Sequence, residues 1–262
     1  LLDRDFLQRQ SEGCDGIIHL AALKIPRYSD ALDTVLFNMM GTKAVLDVAT
    51  GLQAKVVFAS TSDVYGKSAA LPFSEDGDLV LGPSTSRRWS YATSKLLDEH
   101  LAFAYSDRFG LEVTGIRYFG TYGPGQYIGW WGGPQGLFIQ AALEDGEIDI
   151  HGDGKQTRCF TYVKDSAEMT VRALERSNAT GEIINVGTDE EVSIAGLAGM
   201  ICNLTGGTPR LRYVSYESFT KDYEDVRRRI PNMEKCRNIL GAYRWVGLKE
   251  GLIETIDWQQ KR

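Results

Sequence analysis

The chain has 262 residues, a formal net charge of −6 and 43% hydrophobic content, enough for a large core in one big domain or two modest ones. The acidic balance excludes a binder that works by neutralising nucleic-acid phosphates, and no apolar run approaches the ~20 residues that span a bilayer. Cys14, Cys159, Cys202 and Cys236 are far apart, and His19, His100 and His151 lack ligand spacing, so the expectation is a metal-free, cytoplasmic protein with reduced thiols.

The first residues, Leu1-Leu2-Asp3-Arg4-Asp5, read as the end of something already under way, and no secretory signal opens the chain. Gly16-Ile17-Ile18-His19-Leu20 is a short apolar run bounded by small residues, which predicts a buried parallel strand. Ala21 and Ala22 follow, small enough for a ligand to approach closely. Asp30 to Gly51 carries apolar residues near helical spacing, with Gly51 as the expected stop. Lys55 to Ser60 predicts a second buried strand. Strand, helix, strand at this spacing means a βαβ unit and a parallel sheet.

Ser60-Thr61-Ser62-Asp63-Val64-Tyr65-Gly66 then leaves that strand at its carboxyl end, where open α/β sheets bind ligands. The loop to Arg88 is long and contains Pro72, Gly77, Gly82 and Pro83, so a lid or binding loop is expected. Tyr91 to Phe109 predicts a helix. Tyr91 and Lys95 fall on one face of it, about one turn apart. A phenol beside an ammonium is a way to make a base, because the positive charge favours the phenolate. Reaching neutral pH takes about 4 kcal/mol of differential stabilisation, which one Lys and a second cation can supply.

Glu112 to Arg117 predicts a further strand, followed by Tyr118-Phe119-Gly120-Thr121-Tyr122-Gly123-Pro124. Gly125 to Gly136 is a Gly- and aromatic-rich loop; its Trp130 and Trp131 suit either stacking on a ring or packing against a lid. Helix over 137–144, strand over 148–150, helix over 165–176, strand over 182–186, helix over 193–204 capped by Ser193, and helices over 233–240 and 248–260 complete the alternation. The elements after Gly123 are shorter, which predicts a second, smaller lobe. The fold class expected is α/β, a Rossmann-like doubly wound parallel sheet with a C-terminal substrate lobe. The boundaries are 1–123 with 160–188, and 124–159 with 189–262.

These residues together resemble the extended short-chain dehydrogenase/reductases, in the branch of NAD-dependent nucleotide-sugar epimerases, dehydratases and decarboxylases, over essentially the whole chain. The resemblance implies NAD as cofactor and a nucleotide-diphosphate sugar, most simply a UDP-sugar, as substrate. Leu20, Ala21, Ala22 and Lys24 stand where the family's fourth strand meets NAD. Asn38-Met39-Met40-Gly41-Thr42 matches a helix motif whose Asn faces the cofactor. Ser60, Tyr91, Lys95, Tyr118 and Phe119 complete the implied NAD contacts. Thr61, Tyr91 and Lys95 match the catalytic set, with Thr61 as hydroxyl partner of the base. Ser62 and Gly120 fall at substrate positions. Arg158, in Gln156 to Asp165, and Arg229, in Arg229-Ile230-Pro231-Asn232, match two arginines that bind a diphosphate. Surface ion pairing is the competing reading for Arg229, within Arg227-Arg228-Arg229.

Two departures stand out. No G-x-x-G-x-x-G precedes Gly16, so on the order of 60 residues of the family's first βα units are expected to be missing, and poor NAD binding by this chain alone is expected. Gly120 replaces an Asn that usually contacts the substrate. The implied chemistry is a transient oxidation at C4 with Tyr91 as base, after which the 4-keto sugar is epimerised, decarboxylated or dehydrated. Asp63 bears on the choice. Dehydratases tend to carry Asp-Glu after the Thr and decarboxylases Ser-Glu, whereas this chain has Ser62-Asp63, which argues against dehydration. Asp63 is read as a further catalytic residue, with a solvated strand-end acid as the alternative. Epimerisation is placed slightly ahead of decarboxylation, and an inactive binding or scaffold relative is the alternative of another class. A homodimer through two helices is implied, with Leu96, Leu97, Leu101 and Phe103 permitting it.

Overall fold

A computed structural model describes residues 1–24, 31–129, 132–216 and 226–262. Among these, the elements in chain order are α1 (Arg4–Ser11), β1 (Gly16–His19), α2 (Ala31–Leu52), β2 (Lys55–Thr61), α3 (Ser90–Phe109), β3 (Val113–Tyr118), β4 (Thr121–Tyr122), α4 (Pro134–Leu143) and β5 (Glu147–His151). They continue as β6 (Thr157–Cys159), β7 (Thr161–Tyr162), α5 (Val163–Glu175), β8 (Ile183–Val186), β9 (Glu191–Ser193), α6 (Ile194–Thr205), β10 (Arg210–Val214), α7 (Glu234–Leu240) and α8 (Leu248–Gln260). The chain divides into two compact units: residues 1–118, 168–186 and 232–242, and residues 119–167, 187–231 and 243–262.

The first unit is built on a parallel sheet in the order β1-β2-β3-β8. The inner strands β2 and β3 are almost wholly buried, as expected of a parallel sheet, whereas β1 ends the sheet among the described residues and leaves Ile18 exposed, so it is not the buried strand expected from the sequence. Val56 and Phe58 of β2 and Val113 at the start of β3 pack with Val45, Leu46 and Ala49 of α2 and Ala102 of α3. The α2 helix runs one residue past Gly51, and Gln53 takes the left-handed turn with φ +55°. The α3 helix stops at Gly110, φ +67°, whose N–H donates to the Ser106 carbonyl. The sheet and α3 are the parallel Rossmann-like frame expected from the sequence.

The long loop after β2 is pinned rather than loose. Phe73 and Glu75 are buried. Phe73 stacks on Tyr65 at 4.5 Å, and its carbonyl accepts from the Asn232 N–H and from Asn185 Nδ2. Glu75 Oε1 accepts the Asn185 N–H at 2.8 Å. The lid expected from its length is therefore, in its middle, a buried strut.

The second unit has its own core, in which α4, α6 and α8 pack over β5 through Phe138, Ile139, Ile148, Ile150, Leu197, Ile201 and Leu252. β5 pairs with β10 in parallel, β4 with β7 in parallel and β6 with β9 antiparallel. Ser193 caps α6 as expected, its hydroxyl accepting the Gly196 N–H at 3.0 Å. Trp130 and Trp131, and Asp30 at the expected start of α2, lie outside the described residues.

Candidate active site

The site in the first unit is set where β2 ends. Thr61 closes that strand, and its hydroxyl oxygen accepts the Asp63 N–H at 3.2 Å, capping the 3-10 turn Ser62–Tyr65. With that lone pair engaged, the Thr61 O–H is the part left to donate to a ligand. Ser62 and Asp63 are buried. The α3 helix packs against both β2 and this turn. Tyr91 stands in its first turn and Lys95 one turn on, as the i, i+4 spacing demands.

Two buried ties fix Thr61 against that helix. On one side Ser60 Oγ donates to Glu99 Oε1 at 2.5 Å, and Arg117 grips the same carboxylate with Nε and Nη2 at 2.9 and 2.8 Å. Arg117 also lies over the Tyr65 ring at 4.8 Å and donates to the Glu75 carbonyl. On the other side Arg88, just before α3, pairs with Asp63 at 3.2 Å while its guanidinium lies 4.9 Å from the Trp89 ring centre. Thr61 therefore sits between two charge-assisted contacts to the segment that carries Tyr91 and Lys95. Asp63 is not the solvated strand-end acid of the alternative reading. Its carboxylate is buried and paired with a buried guanidinium.

The expected cofactor positions divide. Leu20 and Ala21 are exposed and Ala22 half-buried just beyond β1, a small apolar ledge open at the carboxyl end of the sheet. A Leu that is 59% exposed at that edge fits a surface that a flat ring or ribose covers. Lys24 follows, exposed. Asn38 is buried and its amide is used within the protein. Oδ1 accepts the Leu23 N–H at 2.7 Å, and Nδ2 donates to the Leu23 carbonyl and to Ser94 Oγ. It pins the chain after β1 to α3 between Tyr91 and Lys95. The Tyr118 hydroxyl is 2.6 Å from Thr170 Oγ1, and Phe119 belongs to the second unit with its side chain buried. Of the expected cofactor residues, Leu20, Ala21 and Lys24 are exposed, whereas Ser60, Tyr91 and Lys95 are buried, the Ser60 hydroxyl on Glu99 and the Lys95 ammonium on Asp98.

In the second unit, Arg158 lies on β6, its Nη1 donating to the Thr157 carbonyl at 2.7 Å. The Thr157 N–H donates to the Arg227 carbonyl, which brings the Arg227–Arg229 run alongside that strand. Arg227 pairs with Asp153 and Arg228 with Glu191, so surface ion pairing describes these two neighbours. Gly120 is a conformational requirement. Its φ is +54°, and a Cβ there would lie 2.6 Å from the Cys159 carbonyl oxygen. The site residues that sequence reasoning missed are Arg88, Asp98, Glu99 and Glu75. Only Asp98, three residues after Lys95, carried a local signal.

Residues 1–187 match the NAD dependent epimerase/dehydratase family. The chain belongs to that family. Its members are enzymes of nucleotide-sugar chemistry, and NAD is their cofactor. A UDP-N-acetyl-α-D-glucosaminuronate decarboxylase of Bacillus cytotoxicus is 38% identical over 261 residues, covering 98% of this chain and 80% of that protein. A UDP-glucuronic acid decarboxylase 1 of Xenopus tropicalis is 32% identical over 263 residues, covering 100% of this chain; the chain spans 60% of that relative's length. Among solved structures, a UDP-glucuronic acid 4-epimerase of Bacillus cereus in complex with UDP-glucuronic acid and NAD superposes with a TM-score of 0.86 at 30% identity, over 97% of this chain and 78% of that one. The fold class expected from the sequence is that of these relatives, and no described helix is long and apolar enough to cross a membrane.

Proposed function

We propose that this protein oxidises a UDP-hexuronate transiently at C4 and that the resulting 4-keto acid then loses carbon dioxide. The observation that carries the reading is the pair of buried ties, Ser60 to Glu99 and Asp63 to Arg88, which hold Thr61 against the helix bearing Tyr91 and Lys95. Tyr91, as phenolate, takes the proton from the C4 hydroxyl. Thr61 donates to the same sugar oxygen and aligns it. Lys95 supplies the positive charge that favours the phenolate. NAD, when bound, supplies the hydride acceptor and donor, held by Leu20, Ala21, Ala22, Ser60, Tyr91 and Lys95. In the second unit, read as the substrate lobe, Arg158 and Arg229 are assigned the diphosphate, whose oxygens suit a guanidinium fork.

The choice among outcomes rests on two supports. The Asp63 carboxylate is already taken up by Arg88, which disfavours its use as the acid that loss of water from C6 needs. Decarboxylase relatives at 38% and 32% identity, both acting by name on UDP-uronates, move decarboxylation ahead of epimerisation, the order opposite to that read from the sequence. Epimerisation is the second reading. It needs no acid besides Tyr91, which suits a carboxylate already taken up by Arg88. Purified enzyme given UDP-glucuronate, UDP-N-acetylglucosaminuronate and UDP-glucose in turn separates them by product mass. Loss of carbon dioxide from a uronate supports the proposal. An isomer of unchanged mass supports the second reading, and loss of water sinks both.

Pairing with a second copy through α2 and α3 belongs to the same proposal. Leu32, Leu36 and Met40 form an exposed apolar stripe along α2, and Leu97 is exposed on α3. Light scattering on the purified protein should give the mass of a dimer, and Leu36→Glu should halve it.

A further inference from the structure

Lys95 has a partner that the chemistry above does not call on. Asp98 lies three residues along α3, and its Oδ2 is 2.7 Å from Lys95 Nζ, with the two side chains 0% and 2% exposed. The pair sits in a polar pocket closed by three elements. The Thr42 hydroxyl of α2 favours the ionised Asp98 side chain, and His19 of β1 places Nε2 3.1 Å from Thr42 Oγ1. On α3 itself Glu99 follows, its carboxylate already held by Ser60 and by Arg117 of β3, and Tyr91 lies one turn before Lys95. The second oxygen, Asp98 Oδ1, is buried with no hydrogen-bond partner among the described residues.

A carboxylate there is a costly choice for a helix interior. Burial pushes the Asp98 carboxyl up, and the Lys95 charge and the Thr42 hydroxyl only partly offset it. An apolar residue would pack at lower cost. What the carboxylate does is neutralise a buried ammonium, the same ammonium whose field the Tyr91 phenolate needs. The Asp98 carboxylate and the Tyr91 phenolate compete for one cation.

We propose that Asp98 is a positioning residue that limits how much of the Lys95 charge Tyr91 feels, and so sets the pH at which Tyr91 becomes a base. The inference rests on Tyr91 as the base, but its test reads the phenol itself and not turnover. Tyr91 ionisation is followed by near-ultraviolet phenolate absorbance, as the difference between the protein and Tyr91→Phe, in the native and the Asp98→Asn backgrounds. Asn keeps the size and removes the charge, so the Tyr91 midpoint should fall, by about one pH unit, the low end of what one nearby charge does. Asp98→Glu should restore most of the native midpoint. Thr42→Val is the second variant. It removes the hydroxyl that shares the Asp98 charge, leaves that charge wholly to Lys95, and should raise the midpoint. The acid limb of kcat/KM should move the same way in each variant. A lowered Tm with an unmoved midpoint in Asp98→Asn would make Asp98 merely structural and overturn the proposal, as would a midpoint that rises. Should Asp98→Asn not fold, an unmoved midpoint in Thr42→Val overturns it equally. Loss of activity in Tyr91→Phe is a separate result, so the base assignment and the Asp98 coupling can fail independently.

Discussion

Glu99→Leu removes the carboxylate that joins β2, β3 and α3 below Thr61. Arg117 would lose two hydrogen bonds, at 2.9 and 2.8 Å, and Ser60 would lose one at 2.5 Å. The Arg117 and Glu99 side chains are 4% and 6% exposed, so solvent does not screen the pair. Removing one member of such a pair costs about 3–5 kcal/mol, because the other charge stays buried. Arg117 keeps its bond to the Glu75 carbonyl and its place over Tyr65, which points to the lower end, about 3 kcal/mol. At roughly 2–4 °C per kcal/mol for a chain of this size, Tm should fall by about 6–12 °C. Arg117→Met should cost a similar amount. The double variant leaves neither charge of the pair behind, and its cost should return to about 1 kcal/mol, mainly the stranded Ser60 hydroxyl. Thermal and urea unfolding of the four proteins measure the coupling, expected at about 5 kcal/mol from these costs. A coupling below about 0.5 kcal/mol would refute the reasoning. Turnover should stay low even in the stable double variant, because Thr61 has lost the anchor on its neighbour.

Three further outcomes are expected. Arg158→Lys should weaken UDP-sugar binding about tenfold in calorimetry and leave NAD binding unchanged, since Lys lacks the fork; equal weakening of both would make Arg158 structural. Gly120→Asn should lower stability by about 1–3 kcal/mol even though Asn tolerates a left-handed φ, because its Cβ meets the Cys159 carbonyl; an unchanged urea midpoint would contradict that. His19 is held at about 4, first by burial and then by the Lys95 charge. Its folded value lies below the unfolded one, so the unfolded state binds the extra proton and stability should fall as pH drops from about 6.5 to 4, by up to about 3 kcal/mol. His19→Asn should flatten that slope in urea midpoints, and an equally steep slope in the variant would remove His19 as its cause.

Much of the first unit was legible because buried parallel strands are rich in apolar residues, and Lys55–Thr61 and Val113–Tyr118 read as such; Gly16–His19 also read as a strand, though it ends the sheet with Ile18 exposed. The α1 helix was missed because it buries no residue and so shows no apolar stripe; its one signal is Asp3, whose side chain accepts the Phe6 N–H. Arg210–Val214 was missed because its arginines read as loop, whereas the parallel partner strand answers them with Glu147 and Asp149. Tyr91 and Lys95 were legible since their relation is local to one helix. Arg88 with Asp63 and Arg117 with Glu99 were not, because each pair is closed by tertiary packing across 25 and 18 residues. Trp130 and Trp131, expected to stack on a ring or pack against a lid, fall outside the described residues and add nothing to the choice.

The central claim is that hydride leaves C4 and returns to it while Tyr91 handles the proton. UDP-glucuronate carrying deuterium at C4 tests it most directly, with the product read by mass. The account predicts a product lighter by carbon dioxide that keeps the deuterium, slower turnover of the labelled substrate, no net consumption of NAD, and no product with Tyr91→Phe. A product whose deuterium has exchanged into water, or full activity in Tyr91→Phe, would contradict it.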